Sequence, residues 1–307
     1  MNDAEMLAET RALNAELELL LAQLPKVHEV PPEVTRRARR EGSGALPTPV
    51  FLEQARVEEL GGVPVRVLEP PGAVGAFLHI HGGGWTIGGA DMQDVVLWYL
   101  AEATGLTVVS VEYRLAPEHP YPAGPDDCEA AALAFLERYG DGTGRMVVGG
   151  ESAGAHLAVV TLLRLRDRHG ISPREFAAAN LVFGAYDLTG TPSRHLWGER
   201  DLILSSPLMD WFADCFLPGV PDRERRAPDI SPIFADLSDL PSALFSCGTM
   251  DPLLDDSLFM EARWRAAGNE ARLSLWRDAP HAYTVFPVEV ARRSLAEQAE
   301  FLGLRPS

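Results

Sequence analysis

The sequence reads as one with little to take it to a membrane, to nucleic acid or out of the cell. Its start, Met1-Asn2-Asp3-Ala4-Glu5, is acidic where a secretory signal is basic. The longest apolar run nearby, Leu19 to Ala22, falls far short of the roughly 20 residues that span a bilayer. Basic side chains are scarce, 27 against 44 acidic ones, for a net charge of −17. That balance excludes nucleic acid and anionic membranes as natural partners. Cysteine is scarce too: Cys128, Cys215 and Cys247 are odd in number and far apart, so they read as buried thiols of a reducing compartment. The expected location is the cytoplasm, with no membrane anchor. No His, Cys and Asp cluster has ligand spacing, which predicts no metal, and no repeat or low-complexity tract is evident. What remains is a chain of 307 residues, 46% hydrophobic, long enough for one large core with a small accessory layer.

Met6, Leu13, Leu17, Leu20, Leu21 and Leu24 recur at helical spacing until Pro25 ends the stripe. Residues Val27 to Pro49 are rich in proline and glycine and carry the cluster Arg36-Arg37-Ala38-Arg39-Arg40. In so acidic a chain that cluster reads as a solvated helix face rather than a nucleic-acid patch. From residue 57 onward, strands alternate with helices. The strand candidates are Val63–Glu69, Ala76–Ile80, Thr107–Glu112, Met146–Gly149, Asn180–Phe183, Ala243–Cys247 and Arg272–Trp276. The helix candidates are Met92–Ala103, Asp126–Tyr139, Ser152–His169, Pro252–Ala267 and Val288–Phe301. This order predicts an α/β fold: a mostly parallel sheet with helices on both faces and ligands at the strands' carboxyl ends. Residues 186–230 break the rhythm and supply Trp197, Trp211, Phe212 and Phe216. They predict a helical insertion that joins the N-terminal segment 1–49 as a cap over a catalytic domain spanning 50–307.

Two motifs carry chemistry. Gly150-Glu151-Ser152-Ala153-Gly154 lies between an apolar strand and an amphipathic helix, the context of a nucleophile elbow that lifts the serine hydroxyl out of the sheet. His81-Gly82-Gly83-Gly84-Trp85 follows another strand, and its glycines let backbone amides turn toward a ligand. The amides of Gly83 and Gly84, with Ala153, make a candidate oxyanion hole.

These motifs, with Tyr113-Arg-Leu-Ala-Pro-Glu-His-Pro-Tyr-Pro-Ala123 and Asp251-Pro-Leu, resemble in order the hormone-sensitive-lipase-like esterases, the HGGG branch of the α/β-hydrolase fold. The likeness runs from about residue 60 to 300. It implies an eight-stranded sheet, a helical cap and cofactor-free hydrolysis of short- to medium-chain carboxylic esters. It gives Ser152 the nucleophile's role, Asp251 the acid's, His281 the base's, and Gly82–Gly84 with Ala153 the oxyanion hole. The residues agree with this on their own terms. Asp251 follows a strand, and Pro252 suits the first turn of the helix after it. His281 is the only histidine downstream of Asp251, which preserves the order Ser, Asp, His. Asp255 and Asp256 fall inside the helix and read as solvated or supporting carboxylates.

The other histidines read as supports. His156 packs beneath the site, His79 and His81 brace the glycine turn, His119 is structural, and His28, His169 and His195 lie on the surface or cap. Arg114 is expected to be buried, paired with Glu112 or Glu118 beneath the turn. Trp85, Tyr186 and Trp197 are candidate walls of the substrate pocket. The chain departs from the family's usual pattern with Glu151 and Ala155 in the elbow, and with Ala282-Tyr283 after the histidine where Gly-Phe is common. The expected partner is a small ester, and a homodimer is left open. An amide or formamide hydrolase on the same triad is the alternative. A non-catalytic receptor of this fold is disfavoured, because Asp251 and His281 are both present.

Overall fold

The computed structural model describes residues 1–140 and 145–303. In chain order, α1 (Asp3–Leu21) and α2 (Pro32–Glu41) precede β1 (Arg56–Leu60), β2 (Val63–Leu68) and β3 (Gly75–Ile80). Then come α3 (Asp94–Thr104), β4 (Leu106–Val111), α4 (Ala123–Tyr139), β5 (Arg145–Glu151), α5 (Ala153–His169) and β6 (Ala178–Val182). The short α6 (Pro192–Trp197), α7 (Ser206–Phe216) and α8 (Asp222–Arg225) separate β6 from β7 (Ser242–Met250), and α9 (Leu254–Ala266), β8 (Ala271–Pro280) and α10 (Glu289–Gly303) complete the chain.

Among the described residues the strands form one eight-stranded sheet, ordered β1-β2-β4-β3-β5-β6-β7-β8. β1–β2 and β2–β4 pair antiparallel, and every later pair is parallel. Neighbouring residues of one strand enter opposite cores: Leu78, Val148 and Phe245 pack on one face, Phe77, Val147 and Leu244 on the other. A sheet covered on both faces needs apolar side chains at every position, hence the uninterrupted runs. α4, α5 and α9 cover one face; α3 and α10 cover the other.

Seven of these strands coincide with the sequence candidates; β1 does not. Arg56-Val-Glu-Glu-Leu60 has no apolar alternation, and Val57 is 73% exposed. It is an edge strand whose charges discourage further pairing. β7 and β8 also run further than their apolar stretches, to Met250 and Pro280, with an irregularity in their pairing between Gly248 and Met250. Pro252 therefore lies in a turn, and α9 starts at Leu254 rather than at the proline.

Residues 186–230 contain α6, α7 and α8. Residues 1–49 divide between two places. α1 packs on β8 and α10, with Asn14 donating to the Asp278 carbonyl (2.8 Å) and Arg11 pairing with the Asp278 carboxylate (2.7 Å). The short turn Val27–Glu29 meets α7. α2 is not a solvated face throughout. Arg36 donates to the carbonyls of Thr86 (2.8 Å) and Ala116 (2.9 Å) and forms a two-pronged pair with Glu118, tying α2 to the glycine turn. Among the described residues no helix is long and apolar enough to cross a membrane, and the three cysteines carry free thiols.

Candidate active site

The site lies at the carboxyl ends of β3, β5, β7 and β8. Ser152 sits between β5 and α5 with φ 57° and ψ −120°, a conformation strained for any side chain. Two features hold it there. Its amide donates to the Val182 carbonyl at 2.9 Å, and Gly154 lets α5 press against β3, where a Cβ would lie 1.9 Å from the Ile80 carbonyl oxygen. The strain is sustained because sheet and helix fix both flanks, and the hydroxyl stands clear of the sheet.

His281, the first residue beyond β8, places Nε2 3.0 Å from Ser152 Oγ. Its Nδ1 lies 2.8 Å from Asp251 Oδ2, and the other Asp251 oxygen accepts the Leu253 amide at 2.9 Å. His281 and Asp251 are 4% and 2% exposed, so the carboxylate's charge acts on the imidazole with little water between. The Phe183 ring meets the imidazole edge to face at 4.7 Å and limits its tilt. Asp255 and Asp256 point elsewhere. Asp255 accepts the Ser193 amide; Asp256 accepts the amides of Tyr186 and Asp187 and the Thr191 hydroxyl. Burial outweighs those donors and pushes the Asp256 carboxyl up to about 6.

The glycine turn faces the serine. Gly83 adopts φ +114°, and a Cβ there would meet the Ile87 carbonyl oxygen at 1.9 Å, so only glycine fits. Among the described residues the amides of Gly83 and Gly84 find no acceptor, and Ala153 opens α5, where no intrahelical partner exists. Gly82 is a correction to the expected oxyanion set, because its N–H is already spent on Glu151 Oε1 at 3.2 Å. The available donors are Gly83, Gly84 and Ala153.

Glu151 has more to do than its place in the elbow pattern suggested. Besides the Gly82 amide it holds Gln93, and its Oε2 lies 2.9 Å from His79 Nε2. His79 in turn bonds Ser110 at 2.9 Å. Burial works to raise the Glu151 carboxyl, but the His79 imidazole and the Gly82 amide hold it below its ordinary value. The carboxylate thus anchors the glycine turn to the residue preceding the serine. His81 braces the same turn, with Nδ1 2.8 Å from the Gly82 carbonyl and its ring stacked on Tyr113. His156 accepts the Trp85 indole N–H at Nδ1 (3.1 Å) and holds the Ile230 carbonyl at Nε2 (2.8 Å), fixing one neutral tautomer. Burial pulls its pKa down to about 4. Arg114 is exposed and pairs with Asp127 of α4, not with Glu112 or Glu118; Arg36 from α2 does the bracing expected of it.

A cavity of about 270 Å³ opens on Ser152 and His281. Of the three aromatic candidates only Trp85 lines it, stacked on Phe216 of α7. Tyr186 is fully buried against Phe245, beneath the floor. Trp197 bonds the carbonyls of Arg200 and Leu204 within its own segment and does not reach the cavity. The walls come instead from Leu208, Met209 and Phe212 of α7, and from Val34, Ala38 and Arg39 of α2. Thr35, Ala38 and Arg39, one helical turn apart, were the sequence signal that α2 had an inward face. Ala282, which replaces the usual glycine, takes the left-handed conformation (φ 58°), and Tyr283 buries its ring with its hydroxyl on Ser294 (2.8 Å). Among the described residues, no group of three or more His, Cys, Asp or Glu is arranged to hold a metal.

An eight-stranded sheet of this order, with a serine elbow and a following Asp and His, defines an α/β hydrolase. The chain belongs to the alpha/beta hydrolase fold family, whose sequence profile matches residues 77–285. Within that fold it falls in the hormone-sensitive-lipase-like branch. It is 35% identical over 257 residues to the carboxylesterase NlhH of Mycobacterium tuberculosis, covering 79% of this chain and 80% of that protein. A hormone-sensitive lipase from a metagenome library superposes with a TM-score of 0.86 at 29% identity, covering 96% and 97% of the two chains. The hyperthermophilic esterase of Pyrobaculum calidifontis gives 0.85 at 30% identity, covering 95% and 97%.

Proposed function

We propose that the protein is a serine carboxylesterase that hydrolyses short- to medium-chain carboxylic esters through an acyl-enzyme. The observation that carries this reading is the bonded series Ser152–His281–Asp251, at 3.0 and 2.8 Å, opening on a largely apolar cavity. Ser152 Oγ attacks the ester carbonyl while His281 Nε2 takes its proton, and Asp251 stabilises the resulting imidazolium. Negative charge collects on the carbonyl oxygen, where the amides of Gly83, Gly84 and Ala153 receive it. The C–O bond to the alcohol breaks as His281 returns the proton to the leaving oxygen. Water then gives a proton to His281 and attacks the acyl carbon, and the Oγ–C bond breaks as His281 passes that proton to Ser152 Oγ, which frees the acid.

The esterase names of the relatives support ester over amide as the bond cleaved. The three free thiols fit a cytoplasmic setting. Turnover of nitrophenyl esters of increasing acyl length, with matched anilides alongside, tests the reading. Activity peaks on short esters and is absent on anilides if it is right, whereas preference for anilides would favour the amidase. Ser152→Ala lowers kcat on the best ester by a factor on the order of 10⁴ or more; unchanged hydrolysis would refute the assignment.

A further inference from the structure

Arg39 is a charge the mechanism does not use. It lines the same cavity as Ser152 and His281, among apolar neighbours from α2 and α7. Its helix neighbours are engaged, Arg36 with Glu118 and Arg40 with Asp91. Among the described residues, the Arg39 guanidinium forms no hydrogen bond or ion pair with the protein. Burial pulls its pKa down to about 10, and the one charge that opposes this is Glu151, beside the nucleophile. Glu151 is itself committed to His79, Gly82 and Gln93. The other charged residues of the cavity have bonded partners: Arg194 pairs through Nη2 with Asp210 at 2.6 Å, which among its buried nitrogens leaves only Nε without one, and Asp187 accepts the amide and hydroxyl of Thr189. Arg39 is only partly buried, so its planar fork of N–H donors stays open to the cavity and free to take a ligand.

We propose that Arg39 is a specificity residue, and that the natural substrate is an ester carrying an ionised carboxylate that Arg39 binds while Ser152 attacks the ester carbonyl. This rests on the esterase reading above and narrows its substrate class. A carboxylate matches the guanidinium fork in shape and charge. One unpaired arginine, with the Glu151 and Asp187 carboxylates lining the same cavity, suits a monoanion and repels a phosphate dianion. Arg39 takes no part in bond making or breaking. Hydrolysis of such a half-ester yields the alcohol and a dicarboxylate, or a hydroxy acid if the charge lies in the alcohol half.

The test uses isosteric pairs that differ only in charge, followed by pH-stat titration. Mono-ethyl succinate is compared with ethyl succinamate for the acyl half, and carboxymethyl butanoate with carbamoylmethyl butanoate for the alcohol half. The native enzyme is expected to favour the charged member of one pair by about ten-fold or more in kcat/KM. Arg39→Met should lower that ratio by about ten-fold, and Arg39→Lys should keep part of it because the charge remains. A native ratio at or below one in both pairs overturns the proposal. So does a ratio left intact by Arg39→Met, which would mean that Arg39 only balances Glu151 and affects all esters alike. If Arg39→Met does not fold, the native ratio and Arg39→Lys decide the matter. Neutral esters turned over without charge preference would leave the esterase reading standing and remove this one; no turnover of any ester would remove both.

Discussion

Ser152, Gly83 and Ala282 all hold backbone conformations that most residues avoid, and each does so beside the cavity. At Gly83 the reason is steric: a Cβ would meet the Ile87 carbonyl oxygen at 1.9 Å. Gly83→Ala should therefore displace at least one amide donor and lower kcat by about 10²–10³, with a much smaller effect on KM, as steady-state kinetics on a nitrophenyl ester would show. Ala282 is the opposite case. Its φ of 58° strains an alanine at the edge of the cavity. Ala282→Gly should raise stability by about 0.5–1 kcal/mol in urea unfolding, the left-handed penalty less the added freedom of glycine when unfolded. At this scale the sequence was informative wherever a motif fixed the chemistry. It placed Gly82 in the oxyanion hole, because nothing local says that Glu151 takes up its amide.

Elements are joined by two buried titrating groups whose effects oppose each other. His156 links α5 to Trp85 and to the Ile230 carbonyl, and its pKa falls from 6.5 to about 4 on folding. Its contribution is complete above pH 6.5 and is lost as pH falls toward 4, because the unfolded chain takes up the proton first. Asp256 fastens α9 to the segment that leaves β6, and its pKa rises from 3.8 to about 6. Its contribution is complete below pH 3.8 and is lost as pH rises through about 6. Over pH 4 to 6.5 the two slopes offset each other, each amounting to roughly 3 kcal/mol end to end. Relative to the native chain, His156→Gln should make stability fall more steeply with rising pH, and Asp256→Asn should make it rise. Parallel denaturation curves at pH 4, 5 and 6.5 for all three proteins would contradict this. The helices and strands themselves were largely legible, since both faces of the sheet are buried and apolar runs mark the strands. β1 was not, because an edge strand with charged side chains carries no such mark.

For the whole molecule, the N-terminal segment matters more than its sequence suggests. α1 docks on β8 and α10, while α2 places Val34, Ala38 and Arg39 in the cavity wall and Arg36 beneath the glycine turn. Deleting residues 1–49 should raise KM for uncharged nitrophenyl esters by about ten-fold, because the apolar wall is lost. It should also lower the melting temperature, because the faces of β8 and α10 become exposed. An unchanged KM would show that α7 alone shapes the pocket.

By itself the sequence determined the α/β sheet, the elbow, and the order Ser152, Asp251, His281, since each depends on short-range patterns: apolar runs, tight turns and residues at strand ends. Only the tertiary structure decided which side chains enclose the substrate. Tyr186 fell beneath the floor and Trp197 outside the cavity, while Arg39 turned from an assumed solvated face into the wall. Those positions follow from how α2 and α7 pack over the strands' carboxyl ends. That packing joins residues more than a hundred positions apart, and no local periodicity encodes it.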